Sequence, residues 1–196
     1  MTSAARPLDA RHAGGQALPM LWVAMAGPSG AGKDSLLAGA QALLAGDGRI
    51  HFARRTITRP ADAGGEAHEH LPDSAFDAAG MVLQWRAHGW RYGIRATEVR
   101  RAPVTVLSLS RTVLEEAARL APLLVVEVWA PPAVLAARLA VRGREDAAAI
   151  EARLSREAPL PPGLNVRRLV NDGPLEEGAA RLAAWLRACA EGAFPP

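Results

Sequence analysis

Met20 to Ala26 (MLWVAMA) is a continuous apolar run that stops at a glycine. This pattern predicts a strand buried on both faces of a parallel sheet, because helices covering both sides leave no polar face. Gly27 to Ser35 then reads as a loop, and Leu36 to Leu44 as a helix stopped by Gly46. Thr56 to Ala67, rich in Gly, Arg and Pro, predicts an exposed loop leading out of the sheet. Ala75 to Gly80 predicts a short helix, and Met81 to Trp85 and Trp90 to Ile94 two short strands, together a small lobe inserted into the main fold. Val104 to Leu109 and Leu123 to Trp129 are strand-like runs on either side of Arg111 to Leu120, which has helical spacing, so they predict another strand, helix, strand unit. Pro132 to Val141 predicts a helix with proline in its first turn, followed by a charged turn from Arg142 to Glu145 and a second helix from about Asp146 to Ala158. Arg167 to Val170 predicts the last strand and Pro174 to Ala190 the closing helix. Alternating strands and helices imply an α/β fold with a parallel sheet covered on both sides.

Composition narrows the class. At 196 residues, 49% hydrophobic and 22% charged, the chain has an ordinary globular balance and the length of one α/β domain with a small insertion. The net charge of +3 comes almost wholly from arginine, Lys33 being the only lysine. No basic stretch is interleaved with aromatics, which argues against nucleic acid as partner. No apolar run approaches the roughly 18 to 20 residues that span a bilayer. Cys189 is the only cysteine, so an internal disulfide and a cysteine-built zinc site are excluded, which suits a reducing cytoplasm. Residues 1–19, small and polar without the apolar segment of a secretory signal, read as a flexible leader. The five tryptophans fall mainly on predicted strands and a helix, where core packing is the expectation.

The chemistry is concentrated in Gly27-Pro28-Ser29-Gly30-Ala31-Gly32-Lys33, which satisfies the G-x-x-x-x-G-K pattern between a predicted strand and a predicted helix. Glycines let consecutive backbone N–H groups turn inward onto phosphate oxygens, the helix adds its positive end, and Lys33 reaches the β- and γ-phosphates of ATP. Asp34 stands where the pattern has Ser or Thr on Mg²⁺. A carboxylate there repels a triphosphate unless a cation lies between them, so Asp34 is expected to ligate Mg²⁺ directly or through water, leaving Ser35 to donate to the α-phosphate.

Gly27 to Leu37 (GPSGAGKDSLL) closely resembles the loop of ribose 1,5-bisphosphate phosphokinases, relatives of guanylate kinase that make phosphoribosyl diphosphate during phosphonate breakdown. The resemblance runs from about Leu21 to Leu186 through Thr56-Ile57-Thr58-Arg59, Tyr92-Gly93, Ser110-Arg111, Arg142-Gly143-Arg144-Glu145 and Asn171-Asp172-Gly173. It implies one kinase domain over residues 20–192, with an acceptor lobe at about 54–96 and a helical lid at about 138–156. It also implies that Arg138, Arg142 and Arg153 surround the transferred phosphate, and it puts Asn171-Asp172-Gly173 near the adenine edge, although a plain turn with Pro174 opening the helix explains the same residues. Positive charge on the equatorial oxygens and exclusion of water carry such a reaction.

The acceptor region keeps Arg59 and Gly65-Glu66 of the guanylate kinase pattern, but Asp62 stands where a second arginine is expected, and Ser108-Leu109-Ser110 replaces the acidic segment that reads guanine. A sugar bisphosphate needs cations at two separated phosphates and polar groups around its ring. Arg59, Arg111 and Arg91 or Arg95 are the candidate cations, with Glu66, His68, Tyr92 and Ser110 as further substrate contacts. The expected reaction is ATP-dependent phosphorylation of ribose 1,5-bisphosphate to phosphoribosyl diphosphate. A guanylate-type kinase and a non-catalytic binding module of the same fold are the alternatives. ATP with Mg²⁺ and a small phosphorylated sugar are the expected partners, and monomer or homodimer is left open.

Overall fold

The computed structural model describes residues 20–60, 68–99, 102–141 and 159–193. Strands β1 (Leu21–Ala26), β2 (Ile50–Phe52), β7 (Val104–Ser108), β8 (Leu123–Trp129) and β9 (Asn165–Val170) form one sheet in the order β2-β7-β1-β8-β9. Every pair in it is parallel. β1 lies at the centre and is buried throughout, as its unbroken apolar run predicts.

Successive side chains of a strand face opposite ways, so β1 feeds two cores. Val23 and Met25 pack with Leu36 and Ala40 of helix α1 (Lys33–Leu43) and with Leu182 and Leu186 of helix α5 (Leu175–Ala190). Trp22, Ala24 and Ala26 face the other way, onto Leu114 and Ala117 of helix α3 (Leu114–Leu120). Helix α4 spans Pro132–Val141, as its sequence predicts, and α5 begins directly after Pro174.

A second sheet, in the order β4-β3-β6-β5, is built from β3 (Thr56–Ile57), β4 (Glu69–His70), β5 (Met81–Ala87) and β6 (Trp90–Arg95). It is preceded at β5 by the short helix α2 (Asp73–Phe76). His88 and Gly89 both take positive φ, 51° and 79°, the backbone that a two-residue turn between twisted antiparallel strands demands. Ile57, Leu83, Tyr92 and Ile94 join the Trp22 core, so the second sheet shares its apolar interior with the main one.

Three expectations need correction. Thr56 to Thr58 are buried rather than exposed, because Thr56 and Ile57 pair with Gly93 and Tyr92 of β6 and the Thr56 hydroxyl donates to Glu69 at 2.7 Å. β2 and β4 have no counterpart among the predicted elements; at three and two residues they exist only through pairing with β7 and β3. Helix α1 begins at Lys33, inside the glycine motif, since Gly32 caps it in the left-handed region. The second predicted helix, from about 146 to 158, and the turn before it lie outside the described residues. Of the tryptophans, Trp22 and Trp85 are core, whereas Trp90 beside the hairpin turn is exposed.

One buried carboxylate joins the two connectors between the sheets. Glu98, on the returning segment, accepts from the Arg54 backbone N–H on the outgoing segment and from His51 Nε2, each at 3.0 Å. Removing a buried acceptor strands its donors at about 2 kcal/mol. Glu98→Ala is therefore expected to lower the melting temperature by about 4–8 °C, with Glu98→Gln closer to the native protein because its amide oxygen still accepts. A thermal melt of both variants checks this.

Candidate functional site

The glycine motif connects the carboxyl end of β1 to α1, at the centre of a parallel sheet, where such folds gather their ligands. Gly27 sits at φ 140°, and a Cβ there would lie 2.2 Å from the Val128 carbonyl oxygen of β8. Gly32 sits at φ 87°, and a Cβ there would lie 2.5 Å from Nδ2 of Asn171. These glycines let the loop lie flat against two neighbouring strand ends. Gly30, Ala31 and Pro28 are buried beneath it, while Ser29 and Lys33 are partly exposed.

The hydrogen-bond ladder of α1 starts with the Leu36 N–H on the Gly32 carbonyl at 3.0 Å. The amides of residues 33 to 35 therefore form the positive end of the helix, aimed at the mouth of the loop. Lys33 folds across that mouth and donates from Nζ to the carbonyls of Gly27 at 2.6 Å and Pro28 at 2.8 Å. An ammonium, a curled backbone and a helix N-terminus come together here, forming a cradle of the chemistry that a polyphosphate would need.

Asp34 and Ser35 are exposed on the first turn of α1. The Asp34 carboxylate meets Arg55 Nη2 at 3.3 Å. Arg55 stands just before β3, its guanidinium 5.8 Å from the centroid of the Tyr92 ring. Burial pulls the Arg55 guanidinium below the usual arginine range, Asp34 and Tyr92 oppose that, and the neighbouring Arg59 adds to it. Tyr92 is buried and stacks on Trp85, with ring centroids 5.5 Å apart. The Nε of Arg59 is buried without a hydrogen-bond partner among the described residues. Two arginines thus crowd the seam between the second sheet and the phosphate cradle.

The other expected substrate cations are engaged elsewhere. Arg91 is held by Asp77 and Asp73 and lies over the Phe76 ring. Arg95 pairs with Glu69 at 2.8 Å. Arg111 meets Glu127 at 3.4 Å, and Glu127 also takes Arg168 at 2.9 Å. His68 Nε2 and His70 Nδ1 both meet the Arg59 carbonyl, at 3.1 and 2.9 Å. A carbonyl only accepts, so both ring nitrogens donate, and His68 fixes the backbone of Arg59. Ser110 caps the turn that follows β7, accepting from the Thr112 hydroxyl at 3.0 Å. Glu66, Arg142 and Arg153 lie outside the described residues.

Arg138, on α4, reaches the cradle and donates from Nη1 to the Asn171 carbonyl at 2.9 Å. One residue of this site escapes a reading of the sequence, and another has a contact there that the sequence does not show. Arg55 carries no local signal, being one of many arginines. Asn171 reads as part of a turn, yet it is buried and donates from Nδ2 to the Ala31 carbonyl at 2.7 Å.

Among the described residues no three His, Cys, Asp or Glu side chains gather as metal ligands. A divalent ion here would rely on phosphate oxygens and water beside Asp34. That arrangement fits Mg²⁺, which keeps much of its water and takes one or two carboxylates with substrate phosphates.

No family model matches the chain. The chain is 43% identical over 183 residues to the ribose 1,5-bisphosphate phosphokinase of Methylobacterium radiotolerans, a match covering 88% of this chain and 100% of that protein. It is 46% identical over 175 residues to the bifunctional ribose 1,5-bisphosphokinase-thymidine phosphorylase of Azorhizobium caulinodans, covering 85% of this chain but only 25% of that longer relative. In fold it is similar to the guanylate kinase of Anaplasma phagocytophilum, with a TM-score of 0.55 at 18% identity over 88% of this chain and 87% of that one.

Proposed function

Because the chain belongs to the ribose 1,5-bisphosphate phosphokinase family, we propose that it transfers the γ-phosphoryl group of ATP to the C1 phosphate of ribose 1,5-bisphosphate. The products are 5-phospho-α-D-ribose 1-diphosphate and ADP. An oxygen of the C1 phosphate attacks the γ-phosphorus, and the bond from that phosphorus to the β,γ-bridging oxygen breaks, leaving its electrons on ADP. The attacking phosphate is already ionised at neutral pH, so no general base is needed.

What remains for the protein is positioning and charge. The loop from Gly27 to Lys33 grips the β- and γ-phosphates, Ser35 donates to the α-phosphate, and Lys33 leaves its two carbonyls for the γ-phosphoryl oxygens. Bound Mg²⁺ neutralises phosphate charge, and Asp34 would hold it, directly or through water. Arg55 and Arg59 take phosphate groups of the acceptor, Tyr92 lies beside its ring, and Glu66, His68 and Ser110 complete the pocket. Arg138 serves the transferred group together with Arg142 and Arg153. In this reading residues 20–192 act as one kinase unit, with 54–96 taking the acceptor and 138–156 closing over it. The cytoplasm, which supplies ATP and keeps the buried Cys189 reduced, is the proposed location.

The observation that carries the reading is the contact of Arg55 with Asp34, 3.3 Å apart. It supports a donor cradle and an acceptor cation standing side by side, close enough for two phosphates to meet. Where a guanine-reading carboxylate would stand, this chain has Ser108 and Ser110. A base whose ring donors are left unpaired is poorly bound. Ribose 1,5-bisphosphate and GMP, offered separately with MgATP and followed by ADP release, are expected to differ by at least about 100-fold in kcat/KM in favour of the sugar. A preference for GMP would contradict the reading.

A further inference from the structure

Asn171 is the residue on which four segments meet. Its backbone N–H donates to the Trp129 carbonyl at the end of β8, at 2.8 Å. Its carbonyl accepts from Arg138 of α4 at 2.9 Å. Its side-chain Nδ2 donates to the Ala31 carbonyl of the phosphate loop at 2.7 Å. Its Oδ1 faces α5, where a Cβ on Gly178 would lie 3.3 Å away. The residue is 4% exposed, and its side-chain bond to the Ala31 carbonyl is buried away from competing water, while the Arg138 contact is part-buried.

A trans peptide carries its C=O and N–H on opposite edges of one plane. Holding the Ala31 carbonyl back against Asn171 therefore turns the Gly32 N–H the other way, towards the side from which a phosphate approaches. A Cβ on Gly32 would lie 2.5 Å from Nδ2, so the amide can approach this closely only because the residue is glycine. The Asn171 carbonyl seats the Arg138 guanidinium, whose Nη1 lies 3.8 Å from that Cβ position.

We propose that Asn171 is a positioning residue of the donor site: its side-chain amide orients the Ala31–Gly32 peptide so that the Gly32 N–H meets phosphate, and its carbonyl seats Arg138 beside it. Asn171 acts through the loop and touches no substrate. The inference rests on the phosphate loop holding ATP and is indifferent to which acceptor is used.

The test is Asn171→Asp, which keeps the shape and replaces the donor with an oxygen that repels the Ala31 carbonyl, alongside Asn171→Ala, which removes the donor without adding charge. MgATP affinity is read by equilibrium titration at 25 °C on folded protein, with steady-state kinetics in both substrates. The expected result is MgATP binding weaker by about 30-fold or more in Asn171→Asp and about tenfold in Asn171→Ala, in line with a buried hydrogen bond lost. The KM for the sugar phosphate should stay within twofold of the native protein. A merely structural role lowers the melting temperature and leaves MgATP affinity of the folded protein unchanged. If the variants that fold bind MgATP within twofold of the native protein, or if both KM values rise together, the proposal is overturned. If the native protein itself binds no MgATP, the phosphate-loop reading fails first and takes this one with it. If it binds MgATP but rejects ribose 1,5-bisphosphate, only the acceptor assignment fails.

Discussion

Lys33→Met should cost about 1,000-fold in kcat/KM, the loss expected when a charged group aimed at developing negative charge is removed from a preorganised site. Methionine keeps the apolar stem and removes only the ammonium. No other lysine exists in the chain to take its place. In the structure that ammonium bridges the carbonyls of Gly27 and Pro28, which are themselves part of the loop. Losing two partly exposed hydrogen bonds is worth about 1 kcal/mol, so the melting temperature should move by only about 2–4 °C. Lys33→Arg is not a conservative rescue, since a planar fork cannot fill the place of a compact ammonium between two carbonyls. Steady-state kinetics with a thermal melt on the same samples checks both halves. Activity within tenfold of the native protein would remove Lys33 from the phosphoryl-transfer site.

Gly27→Ala should damage fold and function together. The added methyl would lie 2.2 Å from the Val128 carbonyl oxygen, at a backbone φ of 140° that side chains rarely adopt. β1 and β8 are adjacent parallel strands with Ala26 in register with Glu127, so neither backbone can move aside without breaking ladder hydrogen bonds. Strain and collision together are expected to cost about 3 kcal/mol, lowering the melting temperature by about 6–12 °C, with MgATP binding lost as the loop is pushed off β8. Gly46→Ala is the matched control. Gly46 also has positive φ, 89°, but its Cβ would meet nothing within 4 Å. It should show only backbone strain of about 1 kcal/mol and native activity. Equal damage at both glycines would mean that conformational strain, rather than contact with β8, governs the loop.

What the sequence showed and what it hid follow from the range of the interactions involved. The central strands and α4 were legible because burial on both faces, or on one helical stripe, writes itself into consecutive residues such as those of β8 and α4. β2 and β4 were hidden because two or three residues carry no period of their own, and their pairing partners lie far along the chain. Thr56 to Thr58 looked like loop because polar Thr and flanking Arg and Pro outweighed β-branching, whereas β6 supplied a partner 35 residues further on for Ile57.

The site divides the same way. The glycine motif is local, so spacing and residue type disclosed its turn between strand and helix. Which arginine faces a substrate and which is absorbed by a carboxylate depends on Asp77, Glu69 and Glu127, set by tertiary packing. Arg55 reaches Asp34 from 21 residues away with nothing in its immediate neighbours to announce it, and the bond of Asn171 to Ala31, 140 residues away, is set by tertiary packing alone.

Phosphorus NMR of the reaction mixture tests the central claim most directly, because it reports which bond was made. With MgATP and ribose 1,5-bisphosphate, the C1 phosphate resonance should give way to two mutually coupled diphosphate resonances on the sugar, one new linkage for each ADP formed. ADP accompanied by inorganic phosphate, with the sugar phosphates unchanged, would contradict it.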